Sequence, residues 1–378
     1  MKSHRDYLSN LLIVIIISSA FLDGVFGDTF EVLQQAVLLV VLLLSTILTV
    51  DIFFSRIQYL QLEFWVFLLS IIYAISAIYY GYGFKYSVYL IFCMSACILS
   101  SENNFSSNFL SIVKIIIIFF IALIFIVGLF GFWGTPKNTI GGNIIALGIL
   151  LLIFSSYDKD NFVFIASYFF ILVSMCLFID FRGGTIQLVI VFLGILIGSK
   201  FEFKINPLIV FISSISIAFS IVFILSDLEY FFYISGLGDT VIEISHRGLS
   251  SGRELIWPLA IELIFEAPLI GHGAGFLIRD IFTEETWSSH NLFIQVWLQV
   301  GLIGLGVLSM ILYKIMIALY KNENNHIYIV SLFYWISLIV YNSFEVSFFQ
   351  NSMPIAILQW LIVGILLNKQ SGKVITNE

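Results

Sequence analysis

The stretch LSIVKIIIIFFIALIFIVGLFGF, residues 110–132, carries one charged side chain, Lys114, in 23 residues. A helix that crosses a bilayer needs about 20 largely apolar residues, and this run meets that length with a single lysine near one end. Outward from it, eleven further apolar runs of comparable character lie near 8–27, 31–50, 64–80, 86–100, 140–156, 162–180, 183–199, 207–226, 290–319, 327–344 and 353–368. The pattern predicts an all-α, polytopic membrane protein of about twelve transmembrane helices with one long, partly helical outer loop. The run 290–319 exceeds the membrane thickness, so it is expected to tilt or to extend beyond the bilayer.

Composition agrees across the whole chain. Of 378 residues, 60% are hydrophobic and 11% charged, and the mean hydropathy is +1.05, against roughly 45–50% and about 25% in a soluble domain. These values exclude a secreted soluble enzyme, a disordered chain and a fibre. The net charge of −7 offers no basic stripe, so nucleic acid is excluded as a partner. Cys93, Cys97 and Cys176 sit inside apolar runs and read as small core hydrophobes, with no disulfide framework and no metal site. Lys2 and Arg5 followed by Leu11–Ala20 have the outline of a signal peptide. No small-x-small site follows, so an uncleaved first span is expected.

Charge asymmetry sets an expected orientation. With both termini on the cytoplasmic side, eleven Lys/Arg fall on that side and six opposite, and three of the six (Arg247, Arg253, Arg279) belong to one long loop. Long loops weigh little in the positive-inside rule, so short loops favour this orientation. Three regions follow: an N-terminal bundle of about nine spans (1–226), a large outer loop (227–289) and about three C-terminal spans (290–378). The loop holds ten of the 24 acidic residues. A loop that long inside a compact protein is usually functional.

Within it, Ser251 and Glu254 have capping-box spacing. Leu255, Ile256, Leu259 and Leu263 then recur at helical intervals, with Glu262 and Glu266 on other faces. An amphipathic helix lying on the outer leaflet or over the bundle is expected, kinked or divided by Pro258. The run Pro268-Leu269-Ile270-Gly271-His272-Gly273-Ala274-Gly275 ends it in a turn of the kind whose backbone N–H groups can face an anion. His290-Asn291 opens the next apolar run. Imidazole titrates near neutral pH and can take a proton from a hydroxyl nucleophile; an interfacial helix cap is the plainer alternative. Arg182, in Asp180-Phe181-Arg182-Gly183-Gly184-Thr185, opens the eighth span on the same face. Its guanidinium fork suits a phosphate, whereas a snorkelling arginine or a pair with Asp180 would be structural. The glycines after it leave room for a ligand.

The pieces Ser251-Gly252-Arg253 to Trp257, Pro268 to Gly275, and His290-Asn291 before Gly301-Leu302-Ile303-Gly304 together resemble the shared core of the O-antigen polymerase/ligase family. The likeness is specific over about 252–310 and looser over a core region of about 170–345. It implies a metal-independent, inverting glycosyltransferase of the bacterial inner membrane. The active site would face the periplasm, and no cofactor is needed. The implied substrate is an undecaprenyl-pyrophosphate-linked oligosaccharide; a chain-length regulator and a flippase are implied as further partners beside the lipid bilayer. By resemblance, Arg182 and Arg253 hold the donor's diphosphate and stabilise it as leaving group, and His290 is the general base on the acceptor hydroxyl. Arg247, Arg279 and Asn291 are further candidates for contact with phosphate or sugar. His272, between glycines, is read as non-catalytic, and Glu254 as capping or orienting Arg253.

Within this reading, a polymerase extends the chain on the next lipid-linked repeat unit, whereas a ligase passes the finished chain to lipid A-core; the polymerase is preferred. Two other classes are weaker. Glycosyltransferases that use an acidic residue in the first outer loop would have to rely on Asp23 and Asp28. A flippase or transporter would need ionisable residues deep in the spans, and there are few.

Overall fold

A computed structural model describes residues 2–26, 31–57, 61–103, 105–130, 137–157, 162–179, 181–234, 253–278 and 288–368. Among these the chain forms thirteen α-helices and no strand: α1 (Lys2–Phe26), α2 (Glu31–Ile57), α3 (Leu62–Tyr80), α4 (Phe84–Ser101), α5 (Ser107–Phe130), α6 (Lys137–Tyr157), α7 (Phe162–Ile179), α8 (Arg182–Gly198), α9 (Pro207–Ile234), α10 (Arg253–Glu266), α11 (Leu292–Tyr320), α12 (Asn325–Asn342) and α13 (Met353–Leu367). Eight of them, α1–α7 and α11, are long and apolar enough to cross a membrane, and α8, the first half of α9 and α13 are shorter apolar helices. The chain is an all-α, multi-pass membrane protein. All twelve expected runs are helices, most ending within three residues of the expected limits. The exceptions are α2, which continues to Ile57, and α9, which continues to Ile234.

Helix α6 is the centre of the bundle, buried at every residue from Ile140 to Tyr157, and packs against α1, α5, α7, α8 and α13. The closest pairing is α8 along α12. Gly194 and Gly198 make room for it, since a Cβ at either would run into Phe333 or His326 of α12, while Gly184 faces α6, where a Cβ would sit 2.6 Å from Ile145 side-chain carbons. The three cysteines are buried and free. Asp23 ties three helices together, accepting from Asn143 of α6 at 2.7 Å and from Ser352, at the start of α13, at 3.3 Å.

The long run beginning at 290 neither tilts as one rod nor simply projects: α11 is broken at Val300 and Gly301, where φ is +69° at the glycine. Two helix bonds are lost and four replace them. His272 and Gly273 N–H donate to the freed carbonyls of Leu298 (2.7 Å) and Gln299 (3.0 Å), and Leu302 and Ile303 N–H donate to Pro268 (2.9 Å) and Leu269 (3.4 Å) carbonyls. The 267–273 turn is thus stitched into the break, which satisfies backbone groups that are costly to strand in an apolar setting. The expected anion-facing role of this turn therefore fails for His272 and Gly273, whose amides are already used.

Length arithmetic shows what the break achieves. The 29 residues of α11 would span about 43 Å if straight, against about 27 Å for the 18 of α12 at about 1.5 Å per residue. A four-residue turn joins the two at one end, and Asn291 Nδ2 donates to the Ser343 carbonyl at 3.0 Å at the other. Only a bent α11 satisfies both. A buried polar knot secures the bend. Tyr73 of α3 and Gln350 both donate to Gln299 Oε1, at 2.9 and 2.8 Å, and the amides of Gln295 and Gln299 both donate to the Phe276 carbonyl.

Helix α10 is a single helix from Arg253 to Glu266 with Pro258 inside it, so the proline does not divide it. Pro258 is exposed, its lost N–H costs one bond, and packing on either side holds the helix. Ile256, Trp257, Ala260, Leu263 and Ile264 bury against Ile294 and Leu298 of α11 and against Phe276 and Ile278, forming a second apolar cluster apart from the bundle's core. Leu259 is only partly buried, and the apolar stripe that carries Ile256 and Leu263 also takes in Trp257 and Ala260. The helix lies over the bundle, on the first part of α11.

Candidate functional site

Two candidate site residues each precede a segment of the second cluster in sequence. Arg253 is the first residue of α10, and His290 immediately precedes Asn291, the N-cap of α11. Asn291 is nearly fully buried; its Oδ1 accepts from Phe293 and Ile294 N–H at 2.9 and 3.1 Å and its Nδ2 reaches Ser343. Its amide is committed to capping and to holding α11 on the end of α12. His290 sits at φ +48°, the left-handed region that side chains other than glycine rarely adopt. Such strain persists where surrounding structure over-determines it, often at functional sites.

Arg253 and His290 meet on one carboxylate that the sequence reading did not single out. Glu345, in the segment between α12 and α13, faces Arg253 Nη2 with Oε1 at 3.8 Å and His290 Nδ1 with Oε2 at 3.6 Å. Arg253 Nη2 also donates to the Phe344 carbonyl at 2.8 Å, and its guanidinium lies over the Phe344 ring, 5.9 Å from the centroid. The His290 side chain is 30% exposed, while its Nδ1 is buried and has no hydrogen bond among the described residues. At 3.6 Å the carboxylate is just beyond hydrogen-bond length, a spacing that commonly tightens when substrate binds. With Glu345 behind the ring, Nε2 is the nitrogen left to face a hydroxyl, which is the layout a general base and its orienting carboxylate can use.

Arg182 enters from the bundle. Because α8 runs along α12 and Phe181 packs on Tyr341, with ring centroids 6.4 Å apart, the first residue of α8 lies at the end of α12 that leads into Glu345. Arg182 is exposed there. Of the two following glycines only Gly183 faces open space; Gly184 is filled by helix packing. His272 is accounted for structurally: its Nε2 is 2.6 Å from the Leu263 carbonyl near the end of α10, and its ring stacks on Phe276. Arg247, Arg279, Asp28, Asp180, His246 and the capping residue Ser251 lie outside the described residues, as does the Glu254 side chain. No group of three His, Cys, Asp or Glu among the described residues can hold a metal ion.

The fold and this site define a multi-pass membrane protein whose polar chemistry is gathered at one end of an apolar bundle. Residues 167–309 match the family model described as O-antigen ligase, in line with the resemblance of the motifs to the O-antigen polymerase/ligase family. The match takes in Arg182, Arg253, His290 and the Gly301 break, and stops short of Glu345. No curated protein matches the chain. Glu345→Gln removes the charge behind His290 and Arg253 at nearly constant shape; turnover is expected to fall by about 10²-fold, the lower end of what a positioned base contributes, measured as initial rates at matched protein amounts.

Proposed function

We propose that the protein is a polymerase of O-antigen or a related surface polysaccharide. It acts in the bacterial inner membrane, with both termini cytoplasmic and the α10 end facing the periplasm. The donor is a glycan on undecaprenyl pyrophosphate and the acceptor is the next lipid-linked repeat unit. One observation carries the reading: Arg253 and His290, brought from separate segments, converge on Glu345. His290 Nε2 takes the proton from the acceptor hydroxyl as it attacks the anomeric carbon from the face opposite the diphosphate, inverting that centre. The C–O bond to the diphosphate breaks, and the departing charge is stabilised by Arg253 and Arg182. The diphosphate leaves without protonation, so a second carboxylic acid is not required. A chain-length regulator and a flippase are the expected partners, and Arg247 and Arg279 are candidates for contact with phosphate or sugar.

The family model's description favours a second reading, transfer of the finished chain to lipid A-core. Deleting the gene separates the two. Polymerase loss leaves core capped by a single repeat, whereas ligase loss leaves bare core and accumulated lipid-linked polymer. Purified protein given lipid-linked repeat units alone is expected to build polymer, at an undiminished rate in EDTA. A strict divalent-metal requirement would contradict the mechanism.

A further inference from the structure

Arg253 and His290 are 37 positions apart in sequence, and the contacts to Glu345 are long, so something else must hold the two arms at a fixed separation. Trp257 is one helical turn beyond Arg253 on α10, close to the same face. Its indole is buried in the second apolar cluster, and its Nε1–H donates to the Ser289 carbonyl at 2.9 Å. Ser289 is fully buried, and each of its polar groups is engaged. Its N–H donates to Gln295 Oε1 at 3.3 Å, its Oγ donates to the Asn291 carbonyl at 2.9 Å, and the Asn291 N–H lies 3.4 Å from the same Oγ. The next residue is His290 at φ +48°. A residue pinned from α10, from α11 and from its own turn is what keeps a histidine in that backbone region.

We propose that Trp257 and Ser289 are positioning residues that set the base against the leaving-group arginine: one turn of α10 and one indole hydrogen bond fix the distance from Arg253 to His290. This rests on the roles given above to those two residues. Neither Trp257 nor Ser289 touches substrate. Their effect runs through the orientation of the imidazole, and misplacing a reacting group by about 1 Å costs up to about 10²-fold in rate.

Trp257→Phe keeps an aromatic ring in the cluster and removes only the N–H. With purified protein and lipid-linked repeat units, kcat is expected to fall by about 10–10²-fold while the donor KM stays within about twofold, because Arg253 and Arg182 remain. In a His290→Ala background the same change is expected to cost less than about twofold, since the group it positions is gone. Ser289→Ala carries the same expectation and serves if Trp257→Phe is not recovered from the membrane. Wild-type kcat in both variants, or an equal loss with and without His290, overturns the proposal. A fully active His290→Ala protein overturns instead the general-base reading on which it rests.

Discussion

Alanine at His290 is expected to reduce chain extension by about 10²–10⁴-fold, the contribution of a positioned base, with the protein still present in the membrane at the wild-type level. The ring is partly exposed and contributes little to packing, and the turn around it is held by Ser289 and Asn291 rather than by the imidazole. Arg253→Ala is expected to cost about 10²–10³-fold, the range for removing one group that stabilises developing charge. Arg182→Ala should fall in the same range. The losses should not add, because base and leaving-group residues act in one transition state. Initial rates on lipid-linked repeat units, normalised to protein, provide the check. Wild-type rates in His290→Ala would remove the proposed base.

The second large effect concerns folding. A Cβ at Gly301 would run into the Leu269 carbonyl, and φ there is +69°. Gly301→Ala therefore adds backbone strain of about 1–3 kcal/mol and also drives out the 267–273 turn, which strands several amides and carbonyls at about 1–3 kcal/mol each. Against a total stability of about 5–15 kcal/mol, most of the protein should be lost. The expected readout is a sharp fall in monodisperse, detergent-extracted protein. Gly306→Ala is the control: its Cβ meets nothing within 4 Å, and alanine is favoured over glycine in a helix by about 0.5–1 kcal/mol. Equal yields of the two variants would show that the break is not needed.

The helices were legible because apolar length reports membrane thickness, and each expected run became a helix. Where the limits slipped, at α2 and α9, the helix continues past the apolar stretch, and hydropathy counts apolar residues rather than backbone bonds. Arg253 and His290 were legible as candidates through their motifs, and both side chains lie against Glu345. Glu345 was not. In Phe344-Glu345-Val346 it is a lone acid at a span's end, 55 positions after His290, and only the bend in α11 brings the two together. The bend itself left one trace, a run too long for one crossing. Pro258 does not divide α10, because the packing of Trp257 and Ala260 beside it offsets the one lost bond.

The knot of Tyr73, Gln299 and Gln350 has a further consequence. Apolar helix faces in lipid have little that distinguishes one alignment from another a turn away, because neighbouring methyl groups are nearly interchangeable. Directional bonds are not. Sliding α3 past α11 by one turn would pull Tyr73 from Gln299 and leave three buried side chains short of partners, a larger loss than any change in apolar contact. These few amides therefore act as a vernier for the whole bundle: they select one alignment among many that greasy surfaces would accept, and hold the segment leading back to Glu345 to it.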